Sequence, residues 1–175
     1  CAAITHGSPV GYISAGCYSA IIAELMQGEE LDEAVNNVMR LVQTVPDGDI
    51  CYRTLKYAVE LVGNESVEPM DAVRKMGLGY EAYEALAISV FCALLHKDNT
   101  RFAIELAANQ DGASDTCASI TAAILGAYKG EAAFPKKWVN KLQYKTLIIS
   151  MAEKLCTAVL ATDDLNVDSD DVDDE

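Results

Sequence analysis

Apolar residues in this chain recur at three- and four-residue spacing almost from end to end, and nowhere in alternation bounded by hairpin turns. That pattern predicts an all-α fold, because only a helix brings residues i, i+3, i+4 and i+7 onto one face. Helices are expected at about residues 9–26, 31–45, 51–62, 69–76, 81–95, 100–108, 116–129 and 144–160. The punctuation agrees: Pro9 suits a first helical turn and Gly28 a stop. Pro46-Asp47-Gly48 reads as a turn in which Pro sets its own φ and Gly tolerates a positive one. Small residues on the first long helix (Gly11, Ala15, Gly16, Ser19, Ala20) predict close approach by another backbone. On the last, Leu147, Ile148, Met151, Leu155 and Val159 share one face. Connections are short and no repeat is present, so the expected architecture is a compact multi-helix domain over residues 1–162 and a disordered acidic tail over 163–175.

Composition bounds the function. With 51% hydrophobic residues in 175, the chain can bury enough surface to offset its ordering entropy. Of its 27 acids, eight fall in residues 163–175, which leaves 19 against 13 bases in the body. A net charge of −14 with no basic face argues against nucleic acid as a partner, since phosphate backbones are bound by basic surface. The longest apolar run, residues 85–95, is interrupted by Ser89 and is well short of the ~18 residues that cross a bilayer. The six cysteines are widely spaced with no CxxC, and most lie on apolar helical faces, which reads as buried thiols in a reducing cytoplasm. A lipid-modified Cys1 would be followed by a polar spacer, which Ala2-Ala3-Ile4 is not. The start at Cys1 without a leader therefore reads as a fragment of a longer protein.

The stretch richest in chemistry is Asn109-Gln110-Asp111-Gly112-Ala113-Ser114-Asp115-Thr116, where a polar loop runs into a helix of small residues. Asp115 and Thr116 carry oxygen ligands of the type that hard cations prefer. The same residues also fit a purely structural role, with Asp115 or Ser114 as helix N-cap. His6 fits a loop histidine that caps the next helix, and Tyr80 and Tyr83 fit half-buried core aromatics.

Three segments together resemble the ADP-ribosylglycohydrolase family. Asp111-Gly112-Ala113-Ser114-Asp115-Thr116, with the following small-residue helix and Pro135-Lys136-Lys137-Trp138, is similar to the family's C-terminal Gly-Asp-x-Asp-Ser/Thr motif and Pro-x-x-Trp turn. Ile4-Thr5-His6-Gly7-Ser8-Pro9 resembles its Thr-His-x-x-Pro start of a helix. Gly77-Leu78-Gly79-Tyr80-Glu81-Ala82-Tyr83-Glu84-Ala85-Leu86 resembles its Gly-Trp-x-x-Glu-Glu-Ala-Leu segment. They occur in the family's order over most of residues 4–138.

The resemblance implies the C-terminal part of an all-α ADP-ribosylglycohydrolase-like domain whose N-terminal helices are missing. It also implies an enzyme that removes ADP-ribose from protein side chains, arginine favoured, with two Mg²⁺ ions. In such a reaction the ribose carbon develops oxocarbenium-like charge, while metals orient hydroxyls and water and carboxylates manage protons. Carried over by position, Asp115 and Thr116 match metal ligands, His6 matches a residue at the ADP-ribose site, and Tyr80 falls in the segment flanking the adenosine end. The expected partners are ADP-ribose, ADP-ribosylated protein and the missing N-terminal half, where the catalytic residues are also expected.

Two departures qualify this. Ala113 stands where the family has its first aspartate, with Asp111 as a substitute only if the loop is remodelled. The family's N-terminal Gly-Asp and Thr-Asp-Asp motifs are absent. The chain alone is therefore expected to be inactive or nearly so. The alternatives are a degenerate ADP-ribose- or nucleotide-binding module without catalysis, and a helical interaction module. In the tail, Asp164, Asn166, Asp168 and Glu175 match EF-hand loop positions, but Ser169 stands at the glycine position and no helix can follow, so chance in an acidic segment explains the match.

Overall fold

The structure is a computed structural model that describes residues 1–167, with side chains to residue 158. Among the described residues it is helical throughout, with ten α-helices, one 3₁₀ turn and no strand. The chain forms two compact units, residues Cys1–Phe134 and Pro135–Glu175.

In the first unit, α1 (Ala2–Thr5) leads into α2 (Pro9–Met26), α3 (Leu31–Val42), α4 (Asp49–Val62), α5 (Pro69–Met76), α6 (Ala82–Leu95), α7 (Thr100–Ala108) and α8 (Ser114–Lys129), with a 3₁₀ turn at Glu131–Ala133. Helix α6 is the axis. Every residue from Ala85 to Leu94 is buried, as an all-round apolar helix must be. It lies against α2, α4, α7 and α8 and divides the core in two. On one side Leu86, Val90 and Leu94 pack with Ile21, Val35 and Leu55. On the other, Ile88, Phe91 and Cys92 pack with Ala58, Val73 and Ala107. Helix α3 shows the ordinary amphipathic case, with Leu31, Ala34, Val35, Val38 and Val42 on its buried stripe. The few polar groups inside are satisfied. Ser89 donates to the Ala85 carbonyl at 2.7 Å and lies 3.0 Å from that of Cys117, which ties α6 to α8. Thr121 donates to the Cys117 carbonyl at 2.8 Å.

Most helix bounds fall within a few residues of expectation, and the differences are instructive. The turn after α3 works differently from the expected one. Asp47 takes the positive φ (64°), while Gly48 is needed for space, since a Cβ there would lie 2.3 Å from the Val42 carbonyl oxygen. The predicted close backbone approach to α2 is not made at Gly16, whose missing Cβ faces nothing within 4 Å. Instead Gly16 and Ala20 line an open apolar cavity beside α3.

The second unit holds α9 (Lys136–Lys141) and α10 (Lys145–Val167). Helix α10 is longer than the predicted 144–160, and Leu147, Ile148, Met151 and Leu155 on it are exposed. Residues 168–175 of the expected tail, and with them the end of the EF-hand match, lie outside the described residues. No described helix is long and apolar enough to cross a membrane.

Candidate functional site

A cavity of about 400 Å³ opens where the starts of three helices meet. Val10 and Gly11 bring the first turn of α2, Glu81, Ala82 and Ala85 that of α6, and Ala113 and Thr116 that of α8. None of the three N-cap residues, Ser8, Glu81 and Ala113, makes a side-chain capping bond to its helix. Acids nevertheless stand at two of these starts, Glu81 in the lining and Asp115 accepting from the Thr116 amide, so the partial positive charge of a helix N-terminus is left without a first-turn acid only at α2. His6 and Tyr80 complete the lining.

Two loops set this geometry by docking on each other. The amide of Ala113 donates to the Leu78 carbonyl at 2.8 Å. Only glycine fits at position 112, where a Cβ would sit 1.9 Å from that same carbonyl oxygen. Gln110, buried, accepts from the Gly112 amide at 2.8 Å through Oε1 and directs its amide group toward the Cys117 sulfur. On the facing loop the Glu84 carboxylate accepts from the Gly79 amide at 3.1 Å. Gly77 and Gly79 both have positive φ, and a Cβ at Gly77 would collide with Glu84. With the loop held in this way, Tyr80 projects outward, 72% exposed. It is therefore not the half-buried core aromatic that spacing allowed, whereas Tyr83, one helical turn on, packs partly buried against the core.

Of the residues singled out in sequence, His6, Tyr80 and Thr116 line this one cavity. His6 ends α1, exposed, with Nδ1 2.9 Å from the Thr5 hydroxyl; it does not make the cap of α2, whose N-cap is Ser8. Asp115 is exposed on the first turn of α8 and is not in the lining; its Oδ1 accepts from the Thr116 amide at 2.8 Å. Neither Asp115 nor Ser114 is the N-cap of α8, because the helix begins two residues earlier than expected, at Ser114, with Ala113 as cap. Asp111 lies 3.7 Å from the Arg74 guanidinium, an ion pair that draws it toward α5. Sequence reasoning did not single out Ser8 or Glu81 as lining residues, nor Gln110 and Glu84 as loop supports; the paired glycines at 77 and 79 were their available signal.

The donor set bears on a cation. Asp115 and Thr116 offer two adjacent oxygens, whereas a hard cation takes about six, part of them from water. Among the described residues no three His, Cys, Asp or Glu side chains come together as a metal site. The described residues do not by themselves fit a two-ion centre.

An all-α unit with a cleft built from helix starts defines the class, and comparison with known proteins defines the family. Residues 1–164 match the ADP-ribosylglycohydrolase family model, and the chain belongs to that family. It is also 28% identical over 152 residues to the ADP-ribosylarginine hydrolase Tri1 of Serratia proteamaculans (strain 568). That match covers 86% of this chain but only 37% of the relative's length. No solved structure matches the chain.

Proposed function

We propose that this chain supplies the ADP-ribose-binding part of an ADP-ribosyl glycohydrolase, a hydrolase that frees ADP-ribose from modified protein side chains. The observation that carries this reading is the convergence of His6, Tyr80 and Thr116, from three distant parts of the sequence, on one cavity at three helix starts. The start of α2, with no acid in its first turn, suits a diphosphate, because amide donors and the helix dipole both favour negative charge there. Tyr80 at the mouth offers an aromatic face to a base, and His6 a ring nitrogen to a phosphate or hydroxyl. Arginine is the favoured acceptor, by likeness to a relative named as an ADP-ribosylarginine hydrolase.

In this reading Asp115 and Thr116 contribute two oxygen ligands to Mg²⁺, and the remaining ligands and the acid–base carboxylate come from a further segment or a partner chain. The chain alone then binds and does not turn over. A cytoplasmic location goes with this reading, in keeping with four free buried thiols. Calorimetry with ADP-ribose, with and without Mg²⁺, tests the binding part, and absence of any heat overturns it. Release of ADP-ribose from ADP-ribosylated arginine tests the second part, and robust turnover by the chain alone overturns it. Ala113, at the position of an expected ligand, favours a second reading: a binding module without catalysis. Metal-independent affinity is its mark.

A further inference from the structure

The cavity at the helix starts is unevenly charged. Among the described residues its lining holds no Lys or Arg and one carboxylate, that of Glu81. The other acids nearby are engaged: Glu84 accepts from the Gly79 amide at 3.1 Å, Asp115 from the Thr116 amide at 2.8 Å, and Asp111 lies 3.7 Å from the Arg74 guanidinium. Glu81 stands at the N-cap position of α6 without capping it, and among the described residues its carboxylate has no hydrogen-bond or ion-pair partner. The start of α2, by contrast, has no acid in its first turn. An unpartnered carboxylate in a ligand cavity repels phosphate and bonds only to donors, so the two starts suit different parts of one ligand.

We propose that Glu81 is a specificity residue that accepts from the 2′ and 3′ hydroxyls of the adenosine ribose and selects ADP-ribose over its 2′-phosphate. This assignment rests on the functional reading above and deepens it. The covalent order of the ligand sets the placement. With the base on Tyr80 and the diphosphate at the start of α2, the sugar that joins them runs along the lining from one to the other, and Glu81 follows Tyr80 in the chain. Two vicinal hydroxyls are two donors, and a carboxylate offers two acceptor oxygens with no donor of its own. Bonds of this charge-assisted kind are stronger than neutral ones. Dinucleotide-binding folds place an acid on a ribose 2′-hydroxyl to the same effect. A 2′-phosphate would replace one of the donors by negative charge, so that an attraction is lost and a repulsion added. Because Glu81 is exposed, salt screens the repulsion and leaves the lost hydrogen bond.

The test is calorimetry on the full chain with two probes, ADP-ribose and ADP-ribose phosphorylated on the 2′ oxygen of its adenosine ribose, at one low ionic strength with Mg²⁺ throughout. The unsubstituted chain is expected to bind the first about tenfold or more tighter than the second. Glu81→Gln keeps the shape and removes the charge, and should bring the two affinities together. Glu81→Lys should reverse the preference. Melting temperatures should not move, since the side chain is exposed and unpartnered, and this separates a change of selectivity from a loss of fold. Equal affinity of the unsubstituted chain for the two probes overturns this assignment alone, as does a ratio that neither substitution changes. Heat with neither probe overturns the functional reading, and this assignment with it.

Discussion

Single residues at the cavity divide into those that line it and are exposed and those that hold the loops. His6 and Tyr80 belong to the first kind, being exposed and without a core role. His6→Ala and Tyr80→Ala should each weaken ADP-ribose binding about tenfold, or roughly 1.4 kcal/mol, with melting temperature unchanged, as calorimetry and thermal melts on the same samples would show. Gly112 belongs to the second kind. With its Cβ position 1.9 Å from the Leu78 carbonyl, Gly112→Ala must push two loops apart. Overpacking of this type costs about 1–3 kcal/mol, so this variant should lose stability in urea titration and ligand binding together. Sequence marked His6 and Tyr80 through their motifs. It did not mark Gly112 as obligatory, because the atom that excludes a side chain there belongs to a loop more than thirty residues away.

Among the elements, α5 and α8 make a contrast in how helices are started. Helix α5 is capped by Glu68, whose carboxylate accepts from the amides of Met70 and Asp71 at 2.8 and 3.1 Å. Loss of such a cap costs about 0.5–2 kcal/mol, and Glu68→Ala should lower the unfolding midpoint in denaturant accordingly. Helix α8 starts on Ala113, which has no side-chain oxygen to offer. Ala113→Asp should therefore gain stability, by about 1 kcal/mol or less, and a loss on thermal melting would mean that the Ala113 backbone cannot present a cap. The helices themselves were legible because capping and periodicity are local. A boundary moved where the chain folds back on the helix it has just left, as at Gly48 against the Val42 carbonyl at the end of α3. The short α1 and α9 carry too few periodic residues to announce themselves, with four and six residues.

Across the whole molecule, burial of charge-bearing groups makes stability depend on pH. His96 ends α6, packs edge-on to Phe102 with ring centroids 6.1 Å apart, and has its pKa lowered because burial penalises the imidazolium. The unfolded chain binds that proton more readily than the folded one. The contribution is complete above the unfolded imidazole pKa of about 6.5 and is lost as pH falls through the lower folded value. Thermal melts from neutral to mildly acidic pH should show a fall that His96→Gln reduces; an identical acid limb in both proteins would contradict this. By itself the sequence determined the helical class, the approximate position of each long helix and the family, since i to i+4 periodicity, caps and motifs are written in neighbouring residues. Only the tertiary structure decided that His6, Tyr80 and Thr116 share a cavity, that Asp111 turns to Arg74, and that Ser14 meets Cys51. Those outcomes depend on how α2, α4, α6 and α8 pack, and burial of the all-round apolar α6 sets that arrangement across separations that no local pattern records.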